Sequence, residues 1–177
     1  MQNKRFSLVS VYNKSNLEKI CNLFKKNNIN IISTGSTAKH IKKIGYNCYE
    51  VSHFTKFKEI LNGRVKTLHP LIHASLLFDR NNKNHTKLFK KLNFPEISFI
   101  IVNLYPFEKV LNNNSNKQKC IEMIDIGGPT LLRSAAKNYY SITVISDIND
   151  YDIFIKNIKQ NSGKTSLNFR KKMSAKV

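Results

Sequence analysis

The chain has only three cysteines, at positions 21, 48 and 120, and no CxxC pair. So scattered and odd a set supports neither a disulfide framework nor a zinc knuckle, and it fits a reducing cytoplasm. Long apolar runs are missing too. The basic N-terminus "MQNKRFSLVSVYNK" holds a hydrophobic stretch too short and too soon interrupted for a secretory signal. No segment approaches the ~18 apolar residues that a membrane span requires. Repeats and extended low-complexity tails are absent, and nothing in 177 residues calls for a second domain. The expectation is one soluble, cytoplasmic domain with no membrane partner.

Acidic residues are scarce: 11 Asp and Glu face 30 Lys and Arg, a formal charge of +19. Such an excess attracts phosphate backbones. The positive charge is nearly all lysine, however, with arginine only at 5, 64, 80, 133 and 170, and it is spread along the chain rather than gathered beside aromatics. Asparagine and isoleucine are abundant as well, which points to a compositional bias. A solvated basic surface is favoured, and no specific nucleic-acid partner is expected.

What is present alternates between β-type runs and helical spacing. "FSLVSV" (6–11) reads as a buried strand, followed by Leu17, Ile20, Cys21 and Phe24 at helical intervals, with Asn13 or Ser15 as N-cap. "INIIST" (29–34) is a second strand, Gly35 breaks it, and 37–44 form a short helix ending at Gly45. "CYEVS" (48–52) is a third candidate strand. "ISFIIVNL" (97–104) and "SITVIS" (141–146) read as central strands with a helix between them. "NNKNH" (81–85) and "NNNSNK" (112–117) read as polar loops, and "TSLNFRKKMSAKV" has helical spacing at Leu167, Phe169 or Arg170, Met173 and Val177. The pattern predicts an α/β fold: an open, mostly parallel sheet with helices on both faces and a site beyond the carboxyl ends of the strands.

Four stretches carry chemistry. "STGST" (33–37) joins a strand to a helix; free N–H groups, a glycine and hydroxyls there suit a monophosphate, although the same residues make ordinary turns and caps. Ser10 at the end of the first strand points into the same region, and the first helix begins nearby with Asn13 and Lys14. "NLYPF" (103–107) ends the most hydrophobic strand, placing Asn103 and Tyr105 either to read a ligand edge or merely to cap the core. "IDIGGPT" (124–130) sets Asp125 beside a helix start, with Arg133 and Lys137 one turn apart further on; the alternative is an acidic cap with a surface pair. In "NGRVKTLHP" (62–70), alternation in an extended segment turns Arg64 and Lys66 to one side, where they repel unless an anion lies between them.

In this order and spacing the four stretches resemble the IMP cyclohydrolase family, the N-terminal domain of bifunctional purine biosynthesis enzymes that also carry an AICAR transformylase. The similarity runs from about Phe6 to the end. "RVKTLHP" and "DIGGPT" are specific to it, while the strand-"STG"-helix start is shared across methylglyoxal-synthase-like folds. The resemblance implies closure of 5-formamidoimidazole-4-carboxamide ribonucleotide (FAICAR) to inosine monophosphate (IMP) with loss of water, without cofactor or metal. Carried over by motif, the catalytic set is Lys66, Tyr105, Asp125 and Lys137. Nucleotide binding falls to Ser10, Lys14, Ser33, Thr34, Gly35, Thr37, Arg64, Thr67, Asn103, Ile126, Gly127 and Gly128. The resemblance also implies one domain over 1–177, cut short at the C-terminus, with the transformylase absent, and a homodimer, much of whose contact belongs to the absent part.

Departures from the family pattern fall at Tyr12 (usually serine), Asn13 (aspartate), Ser36 (glycine), Asn62 (aspartate), and Ala74 and Ser75 (a glycine pair). Tyr12 and Ser36 flank the expected phosphate cradle. A non-catalytic module that senses phosphorylated metabolites on the same fold is the alternative. It needs the cradle and not the catalytic set, yet here the cradle is the altered part. Methylglyoxal synthase itself is disfavoured by "RVKTLHP" and "NLYPF".

Overall fold

The computed structural model describes residues 4–107 and 117–177. Five parallel strands form one sheet in the order β3-β2-β1-β4-β5. They are β1 (Arg5–Val11), β2 (Ile29–Ser33), β3 (Tyr49–Glu50), β4 (Ile97–Asn103) and β5 (Thr143–Ile145). The chain winds outward from β1 through β2 to β3, then crosses back to β4 and β5, so strand order reverses between β1 and β4. That reversal opens a crevice at the strands' carboxyl ends.

The helices are α1 (Leu17–Lys26), α2 (Gly35–Lys43), α3 (Val51–Thr55), α4 (Pro70–Leu77), α5 (Lys83–Lys91), α6 (Lys117–Glu122), α7 (Gly127–Lys137), α8 (Tyr151–Gln160) and α9 (Leu167–Ser174). Both alternating sets of β4 side chains are buried, Phe99 and Ile101 on one face, Ile100 and Val102 on the other. A half-exposed strand would alternate apolar with polar; this one is covered on both sides. On one face Phe99 meets Phe24 of α1 and Phe154 of α8, with ring centroids 5.8 and 5.9 Å away. Helices α4 and α7 pack on each other, and α7 lies against β4 and β5. Among the described residues no helix is long and apolar enough to cross a membrane.

The expected strands and helices are present, with four differences. The third strand is only two residues long, because Val51 turns into α3 and buries its side chain there. The asparagines at 81 and 82 do not prolong a loop: the Asn82 side chain accepts from the N–H groups of Asn84 and His85 and starts α5. Neither Asn13 nor Ser15 caps α1, which begins after a left-handed Asn16, while the Asn13 side chain accepts from Ser15 N–H in the preceding turn. The last helix, α9, ends at Ser174; of the spaced apolar residues only Met173 is fully buried, while Leu167 in the helix and Val177 beyond it are exposed. Of the second polar stretch, 112–116 lies outside the described residues.

Candidate active site

The carboxyl ends of β1 and β2 are bound together by the hydroxyls of "STGST". The buried Ser33 Oγ donates to the Val9 carbonyl at 2.6 Å. Thr37 Oγ1 accepts from Val11 N–H at 3.1 Å and donates to the Val11 carbonyl at 3.0 Å. These two hydroxyls fix the start of α2 against β1 and are occupied by backbone. Ser10 and Thr34 are placed differently: their hydroxyls lie 3.5 Å apart, beside the N-terminal turn of α2. Gly35 opens that helix at φ +47°, a left-handed conformation that side chains disfavour. The first N–H groups of any helix lack intrahelical partners, so this end presents donors. Ser36 is exposed there.

Lys66 reaches this helix start from a distant loop. Its Nζ lies 3.7 Å from where a Cβ on Gly35 would stand and 3.8 Å from the same point on Gly63. Among the described residues no carboxylate comes within ion-pairing distance of it. The loop is not the extended segment expected from "NGRVKT". Leu61, Asn62 and Gly63 take positive φ in succession (53°, 55° and 85°), and Ile60 pairs antiparallel with Val65 across the turn. Arg64 and Lys66 consequently diverge: Arg64 faces outward to an ion pair with Glu122 of α6, and Lys66 turns in toward Gly35. A left-handed leucine is strained by about 1–3 kcal/mol, a cost that loops tolerate where they shape a site.

The same loop meets α7. Buried Thr67 sets its Oγ1 2.7 Å from the position of a Cβ on Gly127, so only glycine permits the approach. Gly128 N–H donates to Asp125 Oδ1 at 2.9 Å, and a Cβ there would stand 2.5 Å from both Asp125 Oδ2 and Leu104 Cδ2. The paired glycines thus let a carboxylate, a strand end and a helix N-terminus meet. Tyr105 is near enough to feel Asp125: burial first, then that carboxylate, then Tyr12 push its phenol above its ordinary range. Ile126 is exposed at the same end.

Asn103 has a role that the sequence did not suggest. Its Oδ1 accepts from Asn13 N–H and its Nδ2 donates to the Asn13 carbonyl, both at 2.9 Å. The amide therefore clamps the loop after β1. Lys14 folds back to donate to the Tyr12 carbonyl at 3.3 Å. A cavity of about 590 Å³ adjoins this loop, lined by Tyr12, Lys14, Asn103 and Leu104 and closed by Ser146 and Asp147 beyond β5. A larger one of about 670 Å³ lies elsewhere, lined by Cys21, Ile29, Ile31, Cys48 and Tyr49, and none of the proposed catalytic residues lines it.

Lys137 stands apart. It occupies the last turn of α7, ten residues beyond Gly127, which at 1.5 Å per residue is about 15 Å along the helix. It is exposed, as is Arg133 one turn before it. Conversely, His73 was not singled out in the sequence. Its Nδ1 lies 3.0 Å from Ser134 Oγ of α7, its buried Nε2 has no hydrogen-bond partner among the described residues, and the Thr67 backbone lies near the ring. Burial lowers its pKa. Its place four residues after His69, in a helix whose other residues but Ser75 are apolar, is the available signal. Among the described residues no three His, Cys, Asp or Glu side chains gather as a metal site.

Comparison with known proteins matches residues 16–130 to the MGS-like domain family and 135–177 to the AICARFT/IMPCHase bienzyme family. The "Bifunctional purine biosynthesis protein PurH" of Clostridium botulinum (strain Eklund 17B / Type B) is 44% identical over 174 residues, 98% of this chain and 34% of that protein. The protein of the same name from Clostridium acetobutylicum is 45% identical over 172 residues, again 34% of its length. The chain thus spans about a third of these curated relatives. Among solved structures, the "Crystal structure of ForH" superposes with a TM-score of 0.84 over 98% of this chain and 91% of that one; at 23% identity the likeness is one of fold.

Proposed function

Because the chain belongs to the MGS-like domain family and matches the N-terminal third of bifunctional purine biosynthesis proteins, we propose that it is an IMP cyclohydrolase, with 1–177 forming one cyclohydrolase-like domain. The reaction closes FAICAR to IMP. The carboxamide nitrogen bonds to the formyl carbon, and the formyl oxygen leaves as water with one proton from that nitrogen and one from the formamide nitrogen. A site for it must hold two neighbouring groups together, stabilise charge on the formyl oxygen and move protons.

The observation that carries the reading is the convergence of four distant segments at the carboxyl ends of the strands, with Lys66 against Gly35, Thr67 against Gly127 and Tyr105 within reach of the Asp125 charge. In the proposal the α2 N-terminus, Ser10 and Thr34 receive the phosphate. Lys66 stabilises the formyl oxygen and delivers its proton. Asp125 and Tyr105 orient and deprotonate the carboxamide. Ser33, Thr37 and Asn103 act through the backbone that they fix. Arg64, Thr67, Ile126, Gly127 and Gly128 border the nucleotide, and Lys14 reaches it on release from the Tyr12 carbonyl. Lys137 stays in the catalytic set on the resemblance alone, since no hydrogen bond or ion pair joins it to Asp125.

The test is to supply FAICAR to the purified, folded chain and follow IMP by absorbance. Turnover abolished by Lys66→Ala supports the reading. Absence of turnover in the folded wild type sinks it in favour of a binding module. Lys137→Ala decides that residue separately: a member of the catalytic set loses turnover as Lys66→Ala does, and a bystander keeps it.

A further inference from the structure

Tyr12 is the side chain at the site that neither the fold nor the proposed chemistry explains. It stands directly after β1, where the resemblance implies a small serine, and the residue is 47% exposed. Its backbone, by contrast, is fixed from three sides. Tyr12 N–H donates to the Asn103 carbonyl at 3.4 Å, its own carbonyl accepts from Lys14, and Asn103 grips the next residue through both amide atoms. With the backbone held, the ring has only the staggered rotamers to choose among. The direction taken is toward Tyr105: the ring centroids are 5.2 Å apart with planes at 61°, an edge-to-face pair. This arrangement is favoured by the aromatic quadrupole.

Tyr105 needs such a neighbour. It lies two residues beyond β4, in a turn closed by a bond from Phe107 N–H to the Tyr105 carbonyl at 2.9 Å, and the residue is 40% exposed. Among the described residues Tyr12 is the aromatic ring packed against it. A half-exposed phenol in a turn samples several rotamers unless something holds it. We infer that Tyr12 is a positioning residue, whose ring sets the orientation of the Tyr105 phenol beside Asp125. This rests on Tyr105 taking part in the proposed ring closure. It assigns to this chain a device that the serine of the family pattern lacks the size to supply. The competing role, a hydroxyl contact to the nucleotide phosphate in place of the serine, makes the opposite kinetic prediction.

The experiment compares Tyr12→Leu, Tyr12→Ser and Tyr12→Phe in the full chain. Positioning through the ring predicts a fall in kcat of roughly threefold to tenfold for leucine and serine, with KM nearly unchanged, and recovery of most of that loss in Tyr12→Phe. It also predicts that Tyr12→Leu adds no further loss to Tyr105→Phe, since the two act as one unit. A rise in KM alone, a phenylalanine variant as impaired as leucine, or additive losses would each overturn it. A readout independent of turnover is the 19F spectrum of 3-fluorotyrosine-labelled protein, with the Tyr105 signal assigned by its loss in Tyr105→Phe. That signal moves in Tyr12→Leu and holds in Tyr12→Phe if the rings are paired; an unmoved signal in Tyr12→Leu rejects the pairing. Should the wild type show no turnover, the cyclohydrolase reading fails, and this spectrum still decides the contact.

Discussion

The two ends of the sheet use their polar side chains in opposite ways. At the amino end three arginines bind backbone carbonyls. Arg5 donates to Asn27 O at 2.9 Å and to Gly163 O, Arg170 to Tyr139 O and Tyr140 O at 2.9 and 3.0 Å, and Arg80 to Ile97 O and Ser141 O at 2.8 Å each. Four of those carbonyls, at 27, 139, 140 and 163, belong to the segments that follow α1, α7 and α8. Helices antiparallel to their strands end at this side, where carbonyls lack partners and the dipole is negative, so cations satisfy them. At the carboxyl end the same helices begin. There Ser33, Thr37, Asn103 and Asp125 hold backbone N–H and carbonyl groups, and among the described residues Lys66 has no ion-pair partner. At one end cations meet helix-end carbonyls; at the other, side chains fix the loops and the lysine stands at a helix N-terminus.

The sharpest way to break this contrast is to exchange the expected effects. Lys66→Ala should cut kcat by about 10²–10⁴-fold, the range for losing a charge-stabilising and proton-delivering group, while leaving the thermal midpoint where it was. A large loss of stability instead would make Lys66 structural. Arg80→Leu should do the reverse. It removes two charge-assisted bonds to backbone carbonyls and the 3.0 Å contact with Glu96. A cost of about 2–4 kcal/mol in urea unfolding is expected, with kcat per folded molecule unchanged. If Arg80→Leu lost activity at full stability, the two ends would not be separable.

The same contrast sets what could be read from the sequence. Strands that are apolar on both faces, helices with apolar stripes, and glycine-marked segments at strand ends are local signals, and the sheet and the region of the site follow from them. What escaped depends on contacts between distant segments. Nothing in "NLYPF" says that Asn103 will hold the backbone of Asn13, ninety residues earlier. The divergence of Arg64 and Lys66 comes from three consecutive left-handed residues, two of them not glycine, a turn that alternation cannot reveal. The 15 Å between Gly127 and Lys137 was, by contrast, open to reading: counting residues along the helix gives it, whereas grouping by motif conceals it.

An intermediate effect should come from Asn103→Ala. Its two bonds to Asn13 are each worth roughly 0.5–1.5 kcal/mol. Their loss frees the loop that carries Tyr12 and Lys14, so KM for the nucleotide should rise several-fold while the amino end keeps its hydrogen-exchange protection. Equal loss of protection at both ends would mean that the clamp supports the whole sheet.

The smallest expected effect separates the ends by pH. His73 lies between α4 and α7, where burial holds its pKa below the usual 6.5 against a smaller opposing pull from the Thr67 carbonyl. The unfolded chain takes up this proton near pH 6.5, and the folded chain only at lower pH. Between those values the unfolded state binds more protons, so the stability present above pH 6.5 is lost as pH falls through the folded pKa. An arginine side chain does not lose its proton in this range. Acidification should therefore reduce amide protection around Thr67, α4 and the first turns of α7 before it touches the segments held by Arg80 and Arg170. His73→Gln, which cannot take the proton, should flatten that dependence. A slope that survives the substitution would assign the acid sensitivity to another group, and one that appears equally at both ends would erase the distinction between them.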